Sequence, residues 1–270
     1  LDVNGFSVWI GLGAALGLWR VARNAPKRFA ETWVDIGILV LIAALMGARL
    51  FYTGINWPYF SIHFLEIPQV WLGGLSWPGA VAGAGLAMVY VVIKANTIFV
   101  HAKETYYKSQ STLGWVGDRL YPLLPSIVIT AWLGCWQAGI AYGPVSPERA
   151  WWGMPMLDER GVYSLRFPVQ PLAAATLILF FILLERYVKP RRPAGRLSGL
   201  AVLGVLTHFL LFSFLRADPM PRWNGLRMDT WFASIYLLMG LAFLAVRTLR
   251  PWIIKHFAFS KKRLFIILNH

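Results

Sequence analysis

The sequence predicts an all-α integral membrane protein of seven transmembrane helices, with its N-terminus outside and its C-terminus in the cytoplasm. Three observations predict it. Of the 270 residues, 57% are apolar and only 14% are charged, against roughly 45–50% and about 25% in soluble domains. Seven stretches of mostly apolar residues lie near 6–22, 34–53, 75–94, 120–137, 169–186, 198–215 and 229–246, each close to the length of about 20 residues that a bilayer requires. Finally, 19 of the 26 basic residues follow the odd-numbered spans, and an excess of Lys and Arg marks the cytoplasmic side.

The spans differ in what they carry. The first has no small-residue cleavage site after it and is read as part of the mature chain. The second opens with Asp35 and carries Arg49 near its outer end. The third is rich in small residues, among them Gly79, Ala80, Ala82, Gly83 and Gly85, which suit close helix packing in lipid better than a ligand groove. The fifth has no charge from Val169 to Leu184, and the sixth holds His208 midway. Outer segments 54–73 and 138–168 contain Trp57, Tyr59, Trp71, Trp151, Trp152 and Tyr163. Such residues favour the headgroup level, so both segments are expected to lie against the outer membrane surface.

With no linker and no repeat, residues 1–250 form a single transmembrane domain. Residues 251–270 mix Ile253, Ile254, Phe257 and Phe259 with Lys255, Lys261, Lys262 and Arg263. They read as a basic amphipathic tail lying on the cytoplasmic leaflet. The net charge of +14 arises from the juxtamembrane clusters, which attract anionic lipid, and calls for no nucleic acid. The single cysteine, Cys135, excludes an intrachain disulfide and a cysteine-built zinc site. No HExxH, phosphate-cradling glycine loop or Ser-His-Asp pattern is present. No metal and no cofactor is expected.

A charge at membrane depth defaults to a functional hypothesis. Arg49 is the best candidate, because its planar fork suits two-point contact with phosphate or carboxylate. The competing reading has it snorkelling to headgroups or pairing with an acid. His208 is read as a hydrogen-bonded core residue before a base.

Four ordered segments carry a resemblance. They are Gly47-Ala48-Arg49-Leu50-Phe51-Tyr52, then Trp71 through Gly79, then Leu133 through Gly143, then Gly195-Arg196-Leu197-Ser198-Gly199 running to Arg216-Ala217-Asp218-Pro219. With Phe167-Pro168-Val169-Gln170, they resemble the prolipoprotein diacylglyceryl transferase family over residues 6–245. The resemblance implies seven spans with the N-terminus outside, in the bacterial cytoplasmic (inner) membrane. It implies transfer of a diacylglyceryl group from phosphatidylglycerol to a lipobox cysteine. That reaction calls for a base and for cationic donors aimed at phosphate.

Against that pattern, the family's motif histidine falls on Pro78. Its motif arginine falls on Trp132, two asparagines on Cys135 and Ala138, and a glutamate on Ile140. The helix-six arginine falls on Phe209 and the following glutamate on Ser213, while a Tyr-Glu step falls on Leu172-Ala173. Arg49, Gly74, Ser76, Gly134, Gly143 and Arg216 keep the pattern and are the expected lipid-binding residues, with no catalytic residue assigned. Losing one transition-state donor costs about 10²–10³ in rate. The sequence therefore favours an inactive transferase fold that holds an anionic, phosphatidylglycerol-like lipid as a subunit of a larger membrane complex. The alternative is an active phosphatidylglycerol–prolipoprotein diacylglyceryl transferase with a relocated base, His208 or His63. A transporter is disfavoured by the scarcity of charge in the spans and by the lack of paired broken helices.

Overall fold

The computed structural model describes residues 5–98, 113–147, 150–158, 160–188 and 194–246. Seven helices dominate it: α1 Gly5–Asn24, α2 Ala30–Ile55, α3 Trp77–Ile98, α4 Leu123–Gln137, α5 Val169–Val188, α6 Arg196–Ser213 and α7 Met228–Val246. Six are long and apolar enough to cross a membrane; α4 is a shorter apolar helix. The chain is an all-α multi-pass membrane protein. The expected tail at 251–270 lies outside the described residues.

The span expected at 120–137 begins three residues later, and the reason is local. Pro122 lacks an N–H and precedes the helix without continuing the one before it. A separate short helix, Leu113–Leu120, ends just ahead of it. At about 1.5 Å per residue, the 15 residues of α4 reach roughly 22 Å, short of a bilayer core of about 30 Å.

Small residues let the helices meet backbone to backbone. A Cβ on Gly47 of α2 would meet the Gly83 Cα of α3 at 3.0 Å, and one on Gly83 would strike the Ala43 carbonyl. The glycine-rich third span is thus a packing face against α2. In α1, Gly13 and Gly17 face α4, where added carbons would meet the Thr130 hydroxyl and the Leu123 Cα at 3.1 Å. Van der Waals contact of this kind replaces the hydrophobic drive that lipid does not supply.

Two buried clusters result. One joins α1, α2, α3 and the Leu113–Leu120 helix, with Trp33 edge-on to Trp115 at 5.1 Å. The other joins α4, α5 and α6 around Trp132, Leu177 and Val205.

Polar ties mark the end of the bundle that the charge bias assigns to the cytoplasm. Arg20 pairs with Glu185 at 2.7 Å, and Tyr121 donates to the same carboxylate at 3.2 Å. At the opposite end, both outer segments carry local secondary structure. The first winds through a turn at Trp57–Phe60 and 3-10 turns at Phe64–Glu66 and Val70–Leu72. The second carries a β-hairpin, β1 Met154–Leu157 with β2 Tyr163–Arg166, paired from Met154↔Arg166 to Leu157↔Tyr163. A second hairpin joins β3 Arg222–Trp223 to β4 Leu226–Arg227. It turns on Asn224-Gly225, both at positive φ, the pair that such a two-residue turn favours.

Candidate active site

The chain leaving α6 meets the second outer segment, and a cleft of about 330 Å³ opens between them. Its lining is Pro144, Trp152, Phe167, Phe214, Leu215, Arg216 and Ala217. Backbone geometry sets the walls. Ala217 N–H donates to the Tyr142 carbonyl at 2.8 Å. A Cβ on Gly143 would come within 2.5 Å of the Phe167 carbonyl, so only glycine lets these segments pass so closely. Behind that wall Arg166 stacks on the Tyr142 ring at 4.2 Å and pairs with Asp158 at 3.2 Å.

Arg216 is the cation of the cleft. Its Nε and Nη2 donate to Asp218 at 2.9 and 2.6 Å, and Nη1 lies 3.0 Å from Asp229. Burial works against its charge, but the Asp218 hydrogen bonds and the charges of Asp218 and Asp229 outweigh it and raise its pKa above the ordinary value. A guanidinium has five N–H donors, so some remain for an anion in the cleft. Arg227 completes the group, 3.1 Å from Asp229 and 3.3 Å from Asp218.

Below the cleft, three of the positions where the resemblance expects polar groups come together as aromatic and apolar ones. Trp77 packs on Phe209 at 5.1 Å and on Tyr236 at 6.1 Å. The Tyr236 hydroxyl donates to the carbonyl of Pro78 at 2.8 Å. Trp132 sits 6.4 Å from Phe209 and 5.8 Å from Phe212. Ser213 is buried and accepts from the Thr230 hydroxyl at 2.9 Å.

His208 and Phe209 leave α6 in different directions, yet both rings reach Trp132, His208 at 6.1 Å. His208 stacks on Phe212 at 4.2 Å, with its Nε2 3.0 Å from the Thr176 hydroxyl. That hydroxyl gives its proton to the Leu172 and Ala173 carbonyls at 2.8 and 3.0 Å. Nδ1 is buried and meets no partner among the described residues.

The six expected lipid-binding residues fall in three places. Arg216 lines the cleft, and Gly143 packs on Phe167 beside it. Gly134 packs against α1, where a Cβ would meet Phe6 at 3.0 Å. Arg49, Gly74 and Ser76 form a third group. Among the described residues Arg49 has no acidic partner, and its guanidinium is turned onto backbone carbonyls. It donates to the carbonyls of Ile67 at 2.8 Å, Gly73 at 2.6 Å, Gly74 at 3.3 Å and Glu66 at 2.5 Å. Gly74 has φ +68, and a Cβ there would meet Arg49 Nη1 at 2.7 Å. Ser76 N–H donates to the Ala48 carbonyl at 3.1 Å. This group ties the first outer segment to α2. His63 belongs to that segment, stacked on Tyr59 at 4.4 Å.

Asp229, Arg227 and Arg166 were not singled out by sequence. The repeated Arg-x-Asp step at 216–218 and 227–229 was the available signal. Among the described residues no group of three or more His, Cys, Asp or Glu could hold a metal ion.

Similarity to known proteins extends along nearly the whole chain. The family profile of prolipoprotein diacylglyceryl transferase matches residues 1–246. A phosphatidylglycerol–prolipoprotein diacylglyceryl transferase of Geobacillus kaustophilus is 30% identical over 266 residues, covering 93% of this chain and 91% of that protein. The protein of the same name from Lactococcus lactis subsp. lactis is 29% identical, covering 93% and 92%. That of Thermosynechococcus vestitus is 23% identical, covering 93% and 87%.

Proposed function

We propose, for a chain that belongs to the prolipoprotein diacylglyceryl transferase family, that it transfers the diacylglyceryl group of phosphatidylglycerol to the cysteine thiol of a prolipoprotein. The observation that carries this reading is Arg216, a cation on the wall of an outer cleft in a chain similar along nearly its whole length to transferases of that name. In the reaction a thiol loses its proton and the thiolate attacks the glyceryl carbon. The bond from that carbon to phosphate oxygen breaks, and glycerol phosphate departs. Arg216 is suited to the departing phosphate, since a preformed cation helps most where charge develops. We assign the thiol proton to His208, whose Nδ1 is buried without a partner among the described residues and would have to be uncovered for the thiol to reach it. It takes the place of the imidazole that Pro78 cannot supply.

A second reading has its own support. Trp132 and Phe209 pack their rings together, with Trp77 against Phe209, where the resemblance expects arginines, and Pro78 stands in place of the histidine. Such a site would hold an anionic lipid without turning it over, and the protein would serve as a structural or lipid-holding subunit beside other membrane proteins.

Complementation separates the two. A bacterium depleted of its own transferase should grow, with its lipoproteins modified, when it carries this chain, and the Arg216→Gln variant should fail. Membrane-inserted wild-type protein that gives no rescue would favour the second reading.

A further inference from the structure

Two Arg-x-Asp units, one leaving α6 and one entering α7, interlock beside the cleft. Each arginine grips the aspartate two residues on: Arg216 on Asp218 at 2.9 and 2.6 Å, Arg227 on Asp229 at 3.1 and 3.2 Å. Each also reaches the other unit. Arg216 Nη1 is 3.0 Å from Asp229, and Arg227 Nη2 is 3.3 and 3.4 Å from the two Asp218 oxygens. Arg227 Nη1 further donates to the Asp218 carbonyl at 2.7 Å.

The four charges cancel, but their placement is unequal. The Arg216 side chain is 18% exposed and lines the cleft, whereas that of Arg227 is 7% exposed and that of Asp229 only 3%. A buried carboxylate left without a cation is strongly unfavourable. Were Arg216 their sole partner, turning it toward a ligand would strand both aspartates. Arg227 touches both of them already.

We propose that Arg227 is a positioning residue that keeps Asp218 and Asp229 compensated, so that Arg216 can give its guanidinium to the phosphate of an anionic lipid in the cleft. This rests on the transferase reading only for the identity of that lipid. The charge count gives opposite signs to two neighbouring substitutions. Arg227→Gln leaves the group at net −1, and Arg216 stays locked on two carboxylates. Asp229→Asn leaves it at net +1, with one tether fewer on Arg216. The double variant returns to zero.

The test reads lipid binding without turnover. Full-length protein in detergent is mixed with phosphatidylglycerol or phosphatidylcholine, and bound lipid is counted by native mass spectrometry. The melting temperature is recorded for every variant. R227Q should bind phosphatidylglycerol about tenfold more weakly, within the usual range for a coupling between one group and the site it acts through. D229N should bind as tightly as wild type or more tightly. The double variant should return close to wild type, and R227K should recover part of the loss. If transfer is measurable, R227Q should lower kcat/KM for the lipid, since Arg216 serves the phosphate both before and during its departure. Binding that falls in R227Q and in D229N alike, and further in the double variant, in step with melting temperature, would mean a purely structural cluster and overturn the proposal. So would a wild type that does not prefer phosphatidylglycerol, or one whose bound lipid is displaced by inorganic phosphate. Lipid binding with this pattern but no transfer would defeat the transferase reading and leave the role of Arg227 standing.

Discussion

Asp118 caps a helix to which it does not belong. Its carboxylate accepts from the Gly195 N–H at 2.6 Å and from the Ser198 N–H and hydroxyl at 2.8 and 2.7 Å. The first turn of α6 has orphan N–H groups that need acceptors, and its own flanking Gly195 offers no side chain. The cap therefore comes from the Leu113–Leu120 helix, and it fixes the helix that carries Phe209 and leads into Arg216. Asp118→Ala should destabilise the protein by about 1–2 kcal/mol, the usual cost of a lost cap. Asp118→Asn, which keeps one acceptor, should cost less. Thermal unfolding in detergent checks both, and equal stability of wild type and D118A would contradict the capping role.

Trp132 joins α4 to α6 through ring contacts with Phe209 and Phe212. It is 6% exposed, and a cavity there cannot collapse without moving a helix. Trp132→Ala should cost about 3–5 kcal/mol, and Trp132→Phe clearly less. The order of the two melting temperatures is the check.

Arg49 supports the first outer segment through four carbonyls. An ammonium is a point charge that cannot reproduce the planar fork. Arg49→Lys should leave several carbonyls without donors and lower stability by about 2–3 kcal/mol, since hydrogen bonds to a charged group contribute about 1.5–3 kcal/mol. Limited proteolysis should show new cleavage between residues 57 and 72. An unchanged digestion pattern would argue against the tether.

Asp158 gives a pH dependence whose sign is set by its partners. The backbone N–H of Val162, then that of Arg160 and the charge of Arg166, hold its carboxyl below the ordinary value, against the opposing effect of burial. The ionised form thus favours the folded hairpin. Its contribution is complete above the unfolded value of about 3.9 and is lost as pH falls through the lower folded value. The melting-temperature gap between wild type and Asp158→Asn should be constant from neutral pH to about pH 5, and should shrink only in stronger acid.

The spans were legible because lipid imposes one rule, a long apolar run, on every crossing helix. Apolarity misplaced the start of α4 because Leu120 and the ring of Tyr121 continue the apolar run into Leu123 and Leu124; the missing N–H of Pro122 decides the boundary. The β3–β4 turn had a readable sign in Asn224-Gly225. The β1–β2 hairpin lies within a segment whose aromatic content reads equally as membrane-surface chain. Arg49 stood out as a charge at depth, but carbonyl partners leave no mark in a sequence. Arg216 was legible as the cation closing α6. Its pairing with Asp229 joins residues separated by a hairpin, and only the fold brings them together.

The most direct test of the central claim is the mass of a lipobox peptide incubated with the purified protein in phosphatidylglycerol vesicles. The account predicts a gain of one diacylglyceryl group at the cysteine, lost in Arg216→Gln and strongly reduced in His208→Asn. An unmodified peptide, in vesicles where the Geobacillus kaustophilus relative modifies it fully, would contradict transfer and leave a lipid-holding protein.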